Sequence, residues 1–176
     1  MGRPRKVWGW HQLDEAWAER LVHEAGVGRG DLVLDVGAGL GALTRPLVDR
    51  GCRVIAVERH AGRADALRAE FGDRVRVVRA DAADLRLPRR PFHVVANPPY
   101  GITSDLLGRL LHRGSRLQSA HLVLQQDAVR RWAGPEAPAA GRWQREWQAD
   151  RGTVVPRRAF APPPRVPSQV LHLTRR

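Results

Sequence analysis

One cysteine, one lysine, one asparagine and one tyrosine are all that 176 residues hold of four common side chains, and each scarcity closes an option. The lone Cys52 excludes an intramolecular disulfide and a cysteine-based zinc site. Apolar runs are short as well, none approaching the roughly 18 residues that would suggest a membrane span. The stretch from Met1 to Lys6 runs into Trp8, Trp10 and His11 rather than an apolar segment, so no signal peptide is expected. These scarcities predict a cytoplasmic protein with no membrane partner. Acidic side chains are also short: 18 against 30 basic ones, a formal net charge of +12. A GC-rich coding bias explains why 29 of the 30 are arginine, but not the excess itself. That excess points to a polyanion, nucleic acid foremost, although basic surfaces also serve solubility or membrane contact.

What is present has the size and composition of one globular domain, with 43% hydrophobic and 27% charged residues. A basic arm over residues 1–12 precedes a single domain over residues 13–176. Within the domain, apolar runs at 32–36, 53–57, 75–78, 92–96 and 121–124 read as strands, and 169–173 alternates like another. Amphipathic helices are expected over 14–25, 42–50, 61–71, 104–111 and 128–132. Trp143 and Trp147 follow at helical spacing, and residues 134–141 form a Gly, Pro and Ala loop. Strands alternating with helices predict an α/β fold, a mostly parallel sheet covered on both faces.

Ligands of such sheets bind at the carboxyl ends of the strands near the topological switch point. Asp35, Glu58, Asp81 and Asn97 fall at four successive strand ends and should share one crevice. The Asn97 segment is the most informative. Two prolines after Ala96 fix φ and cannot extend a ladder, so the chain is held open in a stiff turn. This turn offers the Asn97 amide and the Pro98 carbonyl as acceptors and the Tyr100 ring as a flat apolar face, a pair suited to a planar base with an exocyclic amine. Asn97 and Tyr100 are the only residues of their types in the chain.

The loop Gly37-Ala38-Gly39-Leu40-Gly41 between strand and helix lets backbone approach a ligand closely. Gly37, Gly39 and Ala42 satisfy the dinucleotide pattern, with Glu58 available for a ribose, so NAD remains open on the loop alone. S-adenosyl-L-methionine is the alternative. It uses a third acid after the third strand, which Asp81 supplies, and it gives the Asn97 turn a role. On their own, Asp81 can equally be a helix N-cap and Glu58 a solvated turn residue.

Asp35-Val36-Gly37-Ala38-Gly39, Glu58, Asp81-Ala82, Asn97-Pro98-Pro99-Tyr100 and the downstream segment Phe160 to Ser168 together resemble the Erm/KsgA ribosomal RNA adenine N6-methyltransferases, over essentially the whole chain. The Asn-Pro-Pro-Tyr motif is shared with DNA adenine and protein glutamine methyltransferases; the Phe160 segment favours the RNA family. The resemblance implies a Rossmann-like class I methyltransferase fold with a seven-stranded sheet and S-adenosyl-L-methionine as cofactor. It implies that Gly37 and Gly39 approach the methionine portion, that Glu58 binds the ribose, that Asp81 with Ala82 binds the adenine, and that Asn97 borders the methyl group. Asp35, His11 and Leu13 complete the expected cofactor set, although Gly9-Trp10-His11-Gln12-Leu13 stands where the family reads Gly-Gln-Asn-Phe-Leu.

Asn97 and Pro98 would accept the two amine hydrogens of an adenine, Tyr100 would stack on its ring, and Phe160 is the candidate for a second ring contact, with a core position as its alternative. No metal is required. Arg3, Arg5 and Lys6 on the arm, with Arg130, Arg131, Arg142, Arg145, Arg157, Arg158 and Arg165, are the candidate phosphate contacts. The implied function is methylation of an adenine in ribosomal RNA, 23S before 16S, by a monomer without the family's C-terminal helical domain, with antibiotic resistance as the role the Erm resemblance implies. The rivals are the same chemistry on DNA adenine or protein glutamine, and a non-catalytic RNA-binding or ribosome-assembly protein.

Overall fold

The structure is a computed structural model that describes residues 10–176, with backbone alone at 140 and 141. Arg3, Arg5, Lys6 and Trp8 lie outside the described residues. In chain order the elements are β1 (Gln12–Leu13), α1 (Glu15–Glu24), β2 (Leu32–Val36), α2 (Thr44–Asp49), β3 (Arg53–Val57), α3 (Ala61–Phe71), β4 (Val75–Val78), β5 (Phe92–Ala96), α4 (Thr103–Leu110), β6 (Leu117–Gln125), α5 (Gln126–Trp132), α6 (Ala140–Trp143), β7 (Trp147–Val155), β8 (Phe160–Ala161) and β9 (Ser168–Arg175).

Seven strands form one sheet in the order β4-β3-β2-β5-β6-β9-β7, and β1 pairs with β8 in a separate two-stranded ladder. Contacts from β4 through β6 are parallel, as expected for strands joined by helical crossovers, whereas β9 lies antiparallel to both β6 and β7. The strand that the tryptophan spacing obscured is β7. Trp143 ends the short α6, and Trp147 opens a nine-residue strand. Only the two ends of β7, Trp147 and Val155, are buried at this sheet edge, so no apolar alternation marks it.

Alternation along the central strands sends side chains to two cores. Leu34, Val36, Val94, Ala96 and Leu122 pack with Leu106, Leu107 and Leu110 of α4 and Val129 and Trp132 of α5. Val33, Val54, Ala56, Val95 and Val123 pack on the other face with Ala18, Leu21 and Val22 of α1, Leu47 of α2, and Leu67 and Phe71 of α3. Burial of this kind contributes roughly 1.5–3 kcal/mol per large apolar side chain, which fixes the strand register and with it the strand ends. Helix α1 begins where the sequence predicts: the Asp14 carboxylate accepts the Trp17 N–H at 2.8 Å. Among the described residues no helix is long and apolar enough to cross a membrane.

Candidate functional site

The chain runs outward from β2 to β3 and β4, then returns to β5 on the other side of β2, so the switch point lies between β2 and β5. A crevice of about 420 Å³ opens there at the carboxyl ends of the strands, a size ordinary for a small-molecule site. Asp35, Gly37, Gly39, Glu58, Asp81, Ala82, Asn97, Pro98 and Tyr100 all line it, joined by His11 and Leu13. The four strand-end residues, Asp35, Glu58, Asp81 and Asn97, thus share one crevice, together with the residues that the family resemblance added.

Two glycines let the loop after β2 fit where it does. Gly37 has φ +78°, and a Cβ built on it would stand 2.9 Å from Pro99 Cδ and 3.3 Å from Pro98 Cα. Loop and Asn97 turn are thus in van der Waals contact, with no room for a side chain between them. Gly39, at φ +60°, faces Trp10 in the same way, with Nε1 only 2.6 Å from the built Cβ. The Arg63 guanidinium covers the Trp10 ring at 4.4 Å from its centroid.

The acids differ in state. Glu58 is buried and already accepts two backbone N–H groups, from Gly39 at 2.9 Å and His60 at 2.8 Å, so it braces the loop as well as facing the crevice. Asp35 is only 1% exposed and accepts the Thr44 hydroxyl at 2.7 Å. Burial pushes its carboxyl up to about 7; the Thr44 hydrogen bond works against that rise and the Glu58 charge adds to it. Asp81 is the N-cap of a short 3-10 turn, accepting the Ala83 N–H at 3.0 Å, and lies 3.4 Å from the Arg59 guanidinium. One carboxylate oxygen caps the turn and the other pairs with Arg59, while the residue lines the crevice.

At the Asn97 turn, the amide Nδ2 donates to the His11 carbonyl at 2.9 Å. A carbonyl can only accept, so this bond assigns the amide orientation and commits the nitrogen, leaving Oδ1 as the group available to the crevice. The Tyr100 hydroxyl bonds Ser168 Oγ at 2.8 Å, and burial pushes the phenol up. The ring of His11 stacks on Tyr100.

The structure departs from expectation at Phe160. It is 4% exposed, belongs to the apolar core beside Leu13 and Val155, and does not line the crevice. The cause is local: Leu13 and Phe160 are register partners in the β1–β8 ladder, and the Asp14 N–H extends that pairing to the Ala159 carbonyl. No local pattern marks this ladder, and Trp10, Arg63 and Ser168 were not anticipated as neighbours of the site. Of the candidate phosphate contacts described, Arg130, Arg131, Arg142, Arg145, Arg157, Arg158 and Arg165 are all exposed. Arg130 pairs with Asp127, and Arg157 donates to the Pro164 carbonyl.

Residues 12–176 match the family described as ribosomal RNA adenine dimethylase. The chain belongs to that family. Ribosomal RNA small subunit methyltransferase A of Anaeromyxobacter dehalogenans is 39% identical over 191 residues, covering 96% of this chain and 66% of the relative. A probable ribosomal RNA small subunit methyltransferase A of Methanopyrus kandleri is 36% identical, covering 98% and 64%. Among solved structures, the 23S rRNA methyltransferase ErmE superposes with a TM-score of 0.82 at 30% identity, covering 96% of this chain and 70% of that one. A dimethyladenosine transferase of Plasmodium falciparum shares the fold, with a TM-score of 0.79 at 24% identity. The chain spans about two thirds of the length of the curated relatives it matches.

Family and fold make the cofactor S-adenosyl-L-methionine and the architecture that of the class I methyltransferases. The crevice fits it on its own chemistry. A buried carboxylate at Asp35 is a place for a cation, and Glu58 keeps acceptor capacity for hydroxyl groups.

Proposed function

We propose that this chain methylates the N6 amine of an adenine in ribosomal RNA. The observation that carries the reading is the orientation of Asn97. With Nδ2 committed to the His11 carbonyl, Oδ1 and the Pro98 carbonyl are two acceptors on one stiff turn at the crevice. An adenine N6 lone pair is delocalised into the ring and is a weak nucleophile. Two acceptors that take its hydrogens favour a pyramidal nitrogen, and a fixed turn orients the lone pair, which lowers the barrier through positioning. The bound cofactor supplies the electrophilic methyl group. Gly37 and Gly39 would border its methionine portion, Asp35 would face its positive charge, Glu58 its ribose, and Asp81 with Ala82 its adenine. His11 and Leu13 were expected to add cofactor contacts from the arm. Tyr100 would stack on the target base, a contact worth roughly 1–3 kcal/mol. Such a base must lie outside a helix or be flipped from it.

The exposed arginines supply the phosphate contacts, and Arg3, Arg5 and Lys6 would extend them. Both ribosomal subunits remain substrates of this reading. The curated relatives carry small-subunit names, and the ErmE likeness keeps 23S RNA and a resistance role in view. Cytoplasmic action as a monomer follows from the same reading. The test is transfer of labelled methyl from S-adenosyl-L-methionine to naked 16S RNA, naked 23S RNA and duplex DNA. Transfer to one ribosomal RNA is expected; transfer to DNA alone, or to none with normal cofactor binding, would overturn it.

A further inference from the structure

The base-stacking partner expected at Phe160 is buried elsewhere, yet Tyr100 does not face the crevice alone. The His11 ring lies against it with centroids 5.8 Å apart and planes inclined by only 26°. Both rings are held. The Tyr100 hydroxyl is fixed by Ser168, itself fully buried, and His11 Nδ1 is 2.7 Å from the Pro162 carbonyl. Because that carbonyl can only accept, Nδ1 carries the proton and the ring plane is set by the bond. The His11 carbonyl also takes the Asn97 Nδ2 hydrogen, so one residue presents a ring and orients the amide beside it.

From this geometry we infer that His11 and Tyr100 form an aromatic clamp that receives the target adenine between them, His11 taking the place expected of Phe160. The inference rests on the adenine reading above and names a further residue of the same site. Rings that sandwich a base stand roughly 7 Å apart, twice the ~3.5 Å of carbon–carbon contact, so the pair must part before a base can enter. Entry of a base therefore requires the half-buried His11 ring to turn out of its bond to the Pro162 carbonyl. In the absence of a base, the two faces cover each other. The resemblance assigns His11 to the cofactor; its ring also contacts Tyr100.

The test uses the full chain with ¹³C-labelled histidine and tyrosine rings, saturated with S-adenosylhomocysteine and titrated with adenosine 5′-monophosphate. Tyr100 gives a single tyrosine signal set, and His11 is identified among seven histidines by its loss in His11→Phe. Insertion predicts that both rings shift upfield together. His11→Ala should lower kcat/KM for RNA by roughly 5- to 150-fold, the range of one base stack. His11→Phe should stay within about threefold of wild type, because a flat ring suffices. A shift of Tyr100 without His11, no shift of either ring at millimolar nucleotide, or no rescue by phenylalanine in a normally folded protein would each overturn the clamp. The nucleotide titration needs no ribosomal RNA. Ring shifts with no rRNA methylation would therefore remove the rRNA substrate and keep the clamp, whereas rRNA methylation with a motionless His11 would remove the clamp alone.

Discussion

Acidification should weaken cofactor binding through Asp35. Burial raises this carboxyl to about 7, so near neutral pH it is divided between its neutral and charged forms. S-adenosyl-L-methionine is cationic at both its sulfonium and its ammonium, and a cation beside Asp35 favours the charged form. Binding then releases a proton below pH 7, and affinity must fall as pH falls. With a free-protein pKa of about 7 and a much lower one in the complex, the apparent Kd rises about 16-fold, ~1.6 kcal/mol, from pH ~7.0 to ~5.5. This window keeps the ligand's own α-amine protonated, so it does not contribute to the slope. Calorimetry in two buffers of different ionisation enthalpy would read the affinity and the released proton together. Asp35→Asn removes the titrating group and should give an affinity that no longer depends on pH in this range. An equal slope in Asp35→Asn, or a flat wild-type affinity with circular dichroism showing a folded protein, would refute the argument.

Gly37→Ala should destabilise the fold by about 2–4 kcal/mol, combining left-handed backbone strain with the clash on Pro98 and Pro99, and should abolish most methyl transfer because the Asn97 turn is what moves. A thermal melt and a transfer assay on the same preparation check it; full activity would contradict the contact. His121 is a second pH-sensitive group. Burial, with the neighbouring His172 and His93, holds its pKa down at about 4, and its Nδ1 has no hydrogen-bond partner. The unfolded chain therefore binds this proton first, and stability present above pH ~6.5 is lost as pH falls toward 4, about 2 kcal/mol by pH 5. Urea unfolding of wild type and His121→Phe between pH 5 and 7.5 should show the slope in the former and a smaller one in the latter. Arg157→Ala with Arg158→Ala should weaken RNA binding across sequences and reduce the salt slope by up to about 2. An unchanged slope would take these two exposed arginines out of the interface.

The parallel half of the sheet was legible because its strands are buried on both sides and read as continuous apolar runs; β2, Leu32–Val36, is buried at every position. The strand ends carried the site for the same reason: a fixed register delivers Asp35, Glu58, Asp81 and Asn97 to one edge. Strand β7 was not legible, since an exposed edge strand such as Trp147–Val155 needs no apolar alternation and its tryptophans fell at helical spacing. Nor was the β1–β8 ladder, two residues on each side and separated by nearly the whole chain, where no local pattern can signal a partner. That ladder decides between the two readings left open for Phe160. It draws Phe160 into the core beside Leu13 and holds Gln12, next to His11, against Ala161, so His11 reaches Tyr100 while Phe160 does not.

The central claim is that the Asn97 turn directs methylation to an adenine amine of ribosomal RNA. The most direct measurement is nucleoside mass spectrometry of ribosomal RNA after incubation with S-adenosyl-L-methionine and either wild-type protein or Asn97→Ala. The account predicts N6-methylated adenosine with wild type, and a loss of at least about 100-fold in a variant that melts at a similar temperature and still binds cofactor. Methylation at another atom, or undiminished N6-methylation by Asn97→Ala, would contradict it.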